Sequence, residues 1–196
     1  MKQVKISALV LMLISIKSFA VTPERLFLVD KEHTQVAFDI DHLVISSVSG
    51  RFDGLDGQIF TDAAGKITKI IGEVNVESIN TGNAKRDKHL RSADFFESDK
   101  HKKITFNAVG VGVGPGEKKS VNAKLTLRGI TKSIPFLISF KGKATDPWGT
   151  EKIVVDASAV INRKDFGLTW NEALETGGVM VGEEVRIQIK AQGNLK

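Results

Sequence analysis

Few residues in this chain could do chemistry, and none stands in a recognisable catalytic pattern. Its four histidines are His33, His42, His89 and His101. No pair of them has the i, i+4 or H-x-H spacing with a carboxylate that metal sites usually show. No serine lies in a G-x-S-x-G elbow, and no glutamate pair has a glycosidase context. With no cysteine as nucleophile or metal ligand, the sequence predicts no catalytic residue, metal site or cofactor.

Two polar segments are candidates for binding an anion. Residues 83–92 are predicted to form a short helix, with Asn83 as its N-cap and with Arg86 and His89 on it. Arg163 lies in a second segment, residues 162–167, which follows a strand. Arginine side chains and helix-terminal N–H groups can hold a phosphate or another anionic head group. The alternative is that both arginines pair with carboxylates and attach the helix to the sheet. The carboxylates in question are Asp87, Asp94 and Asp165.

The elements that must position these groups are strands with one apolar face and one polar face. In residues 121–128 the odd positions are apolar and the even positions polar, and residues 185–190 repeat the scheme. Because side chains alternate between the faces of a strand, this pattern predicts a sheet with one dry face. Strands of this kind in one small domain must enclose an apolar interior. The alternation leaves open whether that interior is solid or hollow.

Eight or nine such strands, separated by glycine, asparagine and aspartate turns, predict an all-β barrel or sandwich. Gly50, Gly54 and Gly57 interrupt the third strand, where they mark either a bend or ordinary turn positions. The predicted strands cover residues 27–30, 35–41, 47–61, 67–79, 103–111, 120–128, 134–144, 151–162 and 183–192.

The first twenty residues have the pattern of a secretory signal peptide. Lys2 and Lys5 precede an apolar run over residues 6–16, and Ser18-Phe19-Ala20 is a small-x-small cleavage signal near Ala20. The run is shorter than the ~18 residues of a membrane-spanning helix, and an uncleaved anchor is the alternative. Residues 21–196 then form one domain, long enough to bury a core. We expect this domain to be periplasmic.

The charge of the chain gives no reason to expect a nucleic-acid partner. The formal charge of +5 falls to +2 once the three signal-peptide lysines are removed. So small and dispersed a charge does not predict nucleic-acid binding. Homodimer formation is left open.

Seven stretches of the chain together resemble one family. They are residues 30–42, 48–54, 78–96, 104–106, 125–132, 146–149 and 161–171, and they include Ser78-Ile79-Asn80-Thr81-Gly82 and Asn162-Arg163-Lys164-Asp165-Phe166-Gly167. In order and spacing they resemble the YceI-like polyisoprenoid-binding family across nearly the whole mature chain. The departures are Thr34, where serine is expected, and Arg128-Gly129-Ile130, where the family often has His-Gly-Val.

The resemblance implies an eight-stranded antiparallel lipocalin-like barrel with a hydrophobic cavity and one short helix, about residues 83–92. It also implies non-enzymatic binding, transport or storage of a long-chain isoprenoid lipid, polyprenyl or quinone-type, in the periplasm. Eight strands give a barrel just wide enough for packed side chains or one ligand. An enzyme or redox partner acting on such a lipid through His33, His42 or Arg86, and a structural or stress-protective envelope protein with a solid core, remain alternatives.

Strand parity and residue type select the residues expected to contact the lipid. The polar candidates for the mouth of the cavity are His33, His42, Arg86, His89 and Arg163. Small residues on an inward face leave space, so the three alanines among the apolar candidates bear most directly on a hollow interior. The apolar lining candidates are Val36, Phe38, Ile40, Phe52, Val74, Val76, Phe106, Val121, Ala123, Leu125, Leu127, Phe136, Ile138, Phe140, Val155, Ala157, Ala159, Ile161, Val185 and Ile187.

Overall fold

The computed structural model describes residues 24–43, 45–173 and 179–196, so the predicted signal peptide lies outside the described residues. Within these ranges, no helix has the length and apolar character needed to cross a membrane. Short 3-10 turns span Val76–Ser78 and Arg163–Phe166, and helix α1 spans Ala84–Arg91. The strands are β1 Arg25–Val29, β2 Gln35–His42, β3 Ser46–Phe52, β4 Leu55–Thr61, β5 Ile67–Asn75, β6 Ile79–Asn80, β7 Lys103–Val113, β8 Lys118–Leu127, β9 Ile130–Thr145, β10 Glu151–Asn162 and β11 Val181–Leu195.

Eight of these strands close into an antiparallel barrel in the order β1, β4, β5, β7, β8, β9, β10 and β11. The ring is completed by pairing of β1 with β11, in which Phe27 lies opposite Leu195. Closure satisfies the backbone groups that an open sheet would leave at its edges. The predicted eight-stranded antiparallel barrel is therefore confirmed.

Two of the long strands in the barrel wall are broken. β11 pairs with β1 near its carboxyl end and with β2 over the rest of its length, so β1 and β2 together occupy one place in the wall. β3 and β4 form the second broken strand, which the sequence predicted as one strand over residues 47–61. The break lies beside Gly54, whose carbonyl accepts a hydrogen bond from Asn75 N at 2.7 Å. A Cβ at this glycine would lie 3.1 Å from Ser78 Cβ, which explains why the bend carries glycine.

Helix α1 begins where the sequence predicted. Asn83 is the N-cap, and its side chain accepts a hydrogen bond from Arg86 N at 3.1 Å. This bond satisfies one of the N–H groups that the first turn of a helix leaves without a partner. The cap places Arg86, His89 and Leu90 beside the barrel interior.

The barrel interior is filled differently at its two ends. One cluster, which we call the solid end, consists of buried side chains that pack against one another. A second region is bounded by two smaller clusters, one around Phe166 and Leu127 and one around Phe52 and Val74, and Leu90, Phe96 and Ile104 pack against both. The solid end comprises Phe27, Ile67, Ala108, Val111, Val113, Val121, Ala123, Ile138, Phe140 and Ile153.

Candidate functional site

An apolar cavity of about 340 Å³ lies inside the barrel, beyond the solid end. Its volume is within the range of pockets that hold small molecules. The rings of Phe106 and Phe136 meet edge to face, with their centroids 5.0 Å apart. Both residues and Ala157 line the cavity and also belong to the core cluster that includes the solid end. These three residues therefore form part of the floor of the cavity.

Fourteen of the twenty predicted lining residues lie on the cavity wall. They come from eight strands, and among the three alanines only Ala157 is on the wall. Their contact with a ligand stays a prediction. The fourteen are Val36, Phe38, Ile40, Phe52, Val74, Phe106, Leu125, Leu127, Phe136, Val155, Ala157, Ile161, Val185 and Ile187.

The other six predicted lining residues are not on the wall. Val121, Ala123, Ile138 and Phe140 face inward but lie in the solid end. Ala159 is only half-buried, packed against the same cluster, and Val76 lies in a 3-10 turn rather than a strand. Strand parity separates the inward face from the outward face but does not give the position along the barrel axis. For this reason, the prediction from strand parity assigned residues from both ends of the barrel to the lining of a single cavity.

Several wall residues escaped the sequence analysis because they lie outside the predicted strands or carry no side chain. Gly57 and Gly72 are cross-strand partners and both line the cavity. A Cβ at Gly72 would have no heavy atom closer than 3.9 Å, so the structure accommodates a Cβ at this position without a clash. The missed apolar residues in helical or irregular segments are Leu90, Phe95, Phe96, Leu168, Trp170 and Met180. All of them except Met180 lie in the stretches 78–96 and 161–171, which carry the family resemblance.

Arg163 is the most deeply buried charged residue on the wall, with 2% of its surface exposed. Its guanidinium donates to the carbonyls of Gly182 at 2.7 Å, Trp170 at 2.9 Å, Val181 at 3.4 Å and Leu168. Burial lowers the pKa of Arg163, although arginine remains charged in proteins. The side chain thus fixes the segment after the 3-10 turn to the start of β11.

Arg86 is held by Thr81 rather than by a carboxylate. Its Nε donates to Thr81 Oγ1 at 2.8 Å, and its Nη2 donates to Thr81 O at 2.9 Å. The Thr81 hydroxyl in turn donates to the buried carboxylate of Asp87 at 2.6 Å. Across the described ranges, neither Arg86 nor Arg163 forms a salt bridge. The predicted pairing of these arginines with Asp87, Asp94 or Asp165 is therefore wrong, because hydroxyl and carbonyl oxygens take the place of carboxylates.

The predicted histidines divide between the cavity and the outer surface. His42 and His89 line the cavity. His89 bonds Asp94 Oδ2 at 3.1 Å, and its ring meets Trp170 edge to face at 5.0 Å. His33 is exposed at the connection between β1 and β2, away from the cavity wall. No group of three or more histidine and acidic side chains in the described part of the chain could hold a metal ion.

His33 contributes instead to a polar junction around Asp30. The Asp30 carboxylate bonds His33 Nδ1 at 2.9 Å and accepts from Gln192 Nε2 at 3.0 Å and Asn194 Nδ2 at 3.3 Å. Desolvation raises the pKa of Asp30, but hydrogen bonds from His33, Asn194 and the Glu32 amide outweigh it and bring this pKa to about 2. The junction connects the break between β1 and β2 to β11.

Comparison with known proteins places this chain in one family. The sequence profile described as YceI-like domain matches residues 27–193. A UPF0312 protein of Staphylococcus aureus is 38% identical over 171 residues, which cover 86% of this chain and 97% of the relative.

Solved structures with the same fold come from three further bacteria. Burkholderia cenocepacia BcnA aligns with a TM-score of 0.71 at 20% identity, over 84% of this chain and 98% of its own. A polyisoprenoid binding domain from Saccharophagus degradans, implicated in plant cell wall breakdown, gives 0.67 at 21% identity, over 87% and 98%. The Campylobacter jejuni YCEI protein gives 0.65 at 28% identity, over 80% and 90%. By the extent of its profile match and its identity to the staphylococcal relative, this chain belongs to the YceI-like family.

Proposed function

We propose that this protein binds a long-chain isoprenoid lipid, polyprenyl or quinone-type, inside the barrel and carries or stores it in the periplasm without transforming it. The observation that carries the proposal is the apolar cavity of about 340 Å³ inside a closed barrel. Two comparisons support the choice of lipid. The chain is a member of the YceI-like family, and a protein of similar fold is described as a polyisoprenoid binding domain.

The physical chemistry of the wall favours an apolar chain as occupant. Moving hydrocarbon from water into an apolar site contributes roughly 0.8 kcal/mol per CH₂. A hydrogen bond to a head group contributes only about 0.5–1.5 kcal/mol net. A few isoprene units therefore outweigh any single polar contact. Affinity is expected to come from the apolar wall and chemical selectivity from its polar residues.

The polar groups on the wall support binding rather than turnover. Arg163 is held by backbone carbonyls and Arg86 by Thr81, and His89 bonds Asp94. Nucleophilic catalysis needs a nucleophile beside a base that a third group orients, whereas these groups position the segments around the cavity. Export to the periplasm rests on the predicted signal peptide over residues 1–20.

Lipid extraction tests the proposal directly. The protein is purified from a bacterial envelope fraction without detergent, extracted with organic solvent, and the extract is analysed by mass spectrometry. We expect a prenyl lipid in near-stoichiometric amount, or its uptake by protein that was first stripped of lipid. Protein that is empty after purification and takes up no prenyl lipid would overturn the proposal.

A substitution at Gly72 tests whether the lipid occupies the cavity. Gly72→Leu adds a side chain on the cavity wall at a position where a Cβ would have no heavy atom closer than 3.9 Å. We expect this variant to fold and to lose most of its lipid uptake. Ser158→Leu is the matched control, because Ser158 is exposed on the outer face of β10. Equal uptake by both variants would place the lipid elsewhere.

A further inference from the structure

The most exposed of the large apolar side chains that the structure describes lies at the turn between β2 and β3. Ile45 has 90% of its surface exposed there, and Leu43 in the same turn is also exposed. Leu43 N donates to Met180 O at 2.8 Å, which joins the segment before β11 to this turn. Val179 lies in that segment and is exposed as well. We call Leu43, Ile45 and Val179 the apolar tip.

The apolar tip adjoins the wall of the cavity. His42 directly precedes Leu43, and Met180 directly follows Val179. Both His42 and Met180 line the cavity. The tip and this part of the cavity wall therefore belong to the same two segments of the chain, on the side of the barrel away from the solid end.

The turn between β2 and β3 also differs from other turns of the barrel in its charge. Residues 42–50 contain no lysine, arginine, aspartate or glutamate, although these four types make up 26% of the chain. The turns over residues 62–66, 114–117 and 146–150 each carry at least one of them. Because a charged group is costly to remove from water, a turn without charge can enter an apolar medium more readily than the other three.

Size and composition favour a lipid bilayer over a protein as the partner of the apolar tip. A stable protein interface takes roughly 20–30 residues from each side, whereas the tip consists of three side chains. Protein interfaces are also enriched in aromatic residues and arginine, but all three side chains of the tip are aliphatic. Apolar side chains that project from a protein surface can be buried at the boundary between lipid head groups and acyl chains.

We propose that the apolar tip docks this protein on the surface of a lipid bilayer, by inserting Leu43, Ile45 and Val179 below the head groups. Docking there brings the cavity next to the bilayer in which long prenyl lipids dissolve. The proposal rests on the proposed function, because it names the partner with which the cavity exchanges its lipid.

Flotation with vesicles tests whether the protein docks on a bilayer. The protein is used as it is recovered from the bacterial envelope fraction, stripped of lipid, and mixed with vesicles of phosphatidylethanolamine and phosphatidylcholine. We expect it to float with the vesicles at low and at high salt, because salt screens charges but does not weaken apolar contacts. Protein that does not float, or that floats only at low salt, would overturn the proposal.

Ile45→Ser assigns the docking to the apolar tip. We expect it to weaken vesicle binding about tenfold or more, because a large aliphatic side chain is no longer buried in the bilayer. Val109→Ser is the matched control, because Val109 is 62% exposed on β7 and is not on the cavity wall. Any contribution of residues 1–20 is the same in both variants. Equal vesicle binding by the two variants would overturn the proposal.

A fluorescent label shows which face of the protein meets the bilayer. The chain contains no cysteine, so a single introduced cysteine determines where the label lies. Ser46→Cys places it beside the apolar tip, and Ser158→Cys places it on the outer face of β10, where both serines are exposed. With brominated lipids in the vesicles, we expect quenching of the label at residue 46 and not at residue 158. Equal quenching at both positions, or quenching at residue 158 alone, would contradict docking through the tip.

Two uptake measurements separate this proposal from the proposed function. Farnesol offered in water reaches the cavity without a bilayer, whereas a long prenyl alcohol offered in vesicles must be taken from one. We expect Ile45→Ser to bind farnesol as the unaltered protein does, because Ile45 is not on the cavity wall. Its uptake of the long alcohol from vesicles should be about tenfold slower.

The possible failures of these measurements are distinguishable. Farnesol binding together with unchanged uptake from vesicles in Ile45→Ser would overturn docking through the tip and leave lipid binding intact. No uptake of either compound by the unaltered protein would overturn lipid binding, and with it the exchange of lipid at the bilayer.

Discussion

The solid end and the cavity are built by the same strands, yet one is filled by side chains and the other is not. On β8, Val121 and Ala123 belong to the solid end, whereas Leu125 and Leu127 line the cavity. The difference therefore does not come from strand type or from hydrophobicity. It follows from which side chains face one another across the barrel at each level of its axis.

At the solid end, large side chains meet across the barrel. Phe27 and Phe140 are each 1% exposed there, and Ile67 and Val111 are completely buried. At the cavity, Gly57 and Gly72, which are partners on the adjacent strands β4 and β5, contribute no side chain. Helix α1 and the residues after it cover this region from the edge, so they enclose space instead of filling it. The contrast shows that one part of the interior is filled by packed side chains and the other leaves a cavity.

Truncating a phenylalanine at each end gives the largest expected difference. Phe140→Ala removes a ring from the solid end and should lower the free energy of unfolding by about 3–5 kcal/mol. Phe38→Ala removes a half-buried ring from the cavity wall, and its cost should stay below about 1.5 kcal/mol because fewer contacts are lost. Urea unfolding of lipid-free protein, followed by circular dichroism, measures both. Equal losses would show that the interior is packed uniformly.

Adding a large side chain at each end gives an intermediate effect. Ala123→Trp overpacks the solid end, where Ala123 is completely buried, and should cost about 3 kcal/mol or prevent folding. Ala157→Trp can extend into the cavity and should cost about 1 kcal/mol while abolishing lipid uptake. Unfolding free energies and uptake of a prenyl lipid measure the pair. An Ala157→Trp protein as unstable as Ala123→Trp would contradict a hollow region.

The polar junction around Asp30 gives the smallest effect, and it depends on pH. The pKa of Asp30 is about 2 in the folded protein, against an ordinary value of 3.8. A lowered folded-state pKa stabilises the protein above pH ~4, and this stability is lost as pH falls from about 4 to about 2. It amounts to at most about 2 kcal/mol.

Asp30→Asn isolates this contribution. The variant cannot ionise at this position, so we expect lower stability at neutral pH and a flatter decline between pH ~4 and ~2 than in the unaltered protein. Urea unfolding across that pH range measures the difference. Parallel pH profiles of the two proteins would contradict the role of Asp30 at the junction.

The sequence predicted the wall of the barrel better than the structure of the site. Alternation in residues 121–128 correctly placed Leu125 and Leu127 inside, because parity is a local property of a strand. It could not separate Ala123 from Ala157, because depth along the axis depends on the register between strands. The strand register of this barrel is a long-range property.

The residues that close the cavity were harder still to place from sequence. Leu168 and Trp170 follow a 3-10 turn and have no periodicity to assign them to a face. The partners of Arg163 are carbonyls of residues 168, 170, 181 and 182. Backbone acceptors have no signature in residue type, so carboxylates were the only partners that the sequence suggested. The family resemblance included residues 161–171 without giving their geometry.

The most direct test of the central claim is a crystal structure with a prenyl lipid whose tail carries bromine near its end. Anomalous scattering locates the bromine independently of how the remaining density is interpreted. If the cavity holds the tail, the bromine peak lies inside the barrel, near the part of the floor formed by Phe106, Phe136 and Ala157. A peak on the outer surface, or side chains that close the cavity while the lipid binds elsewhere, would contradict the account.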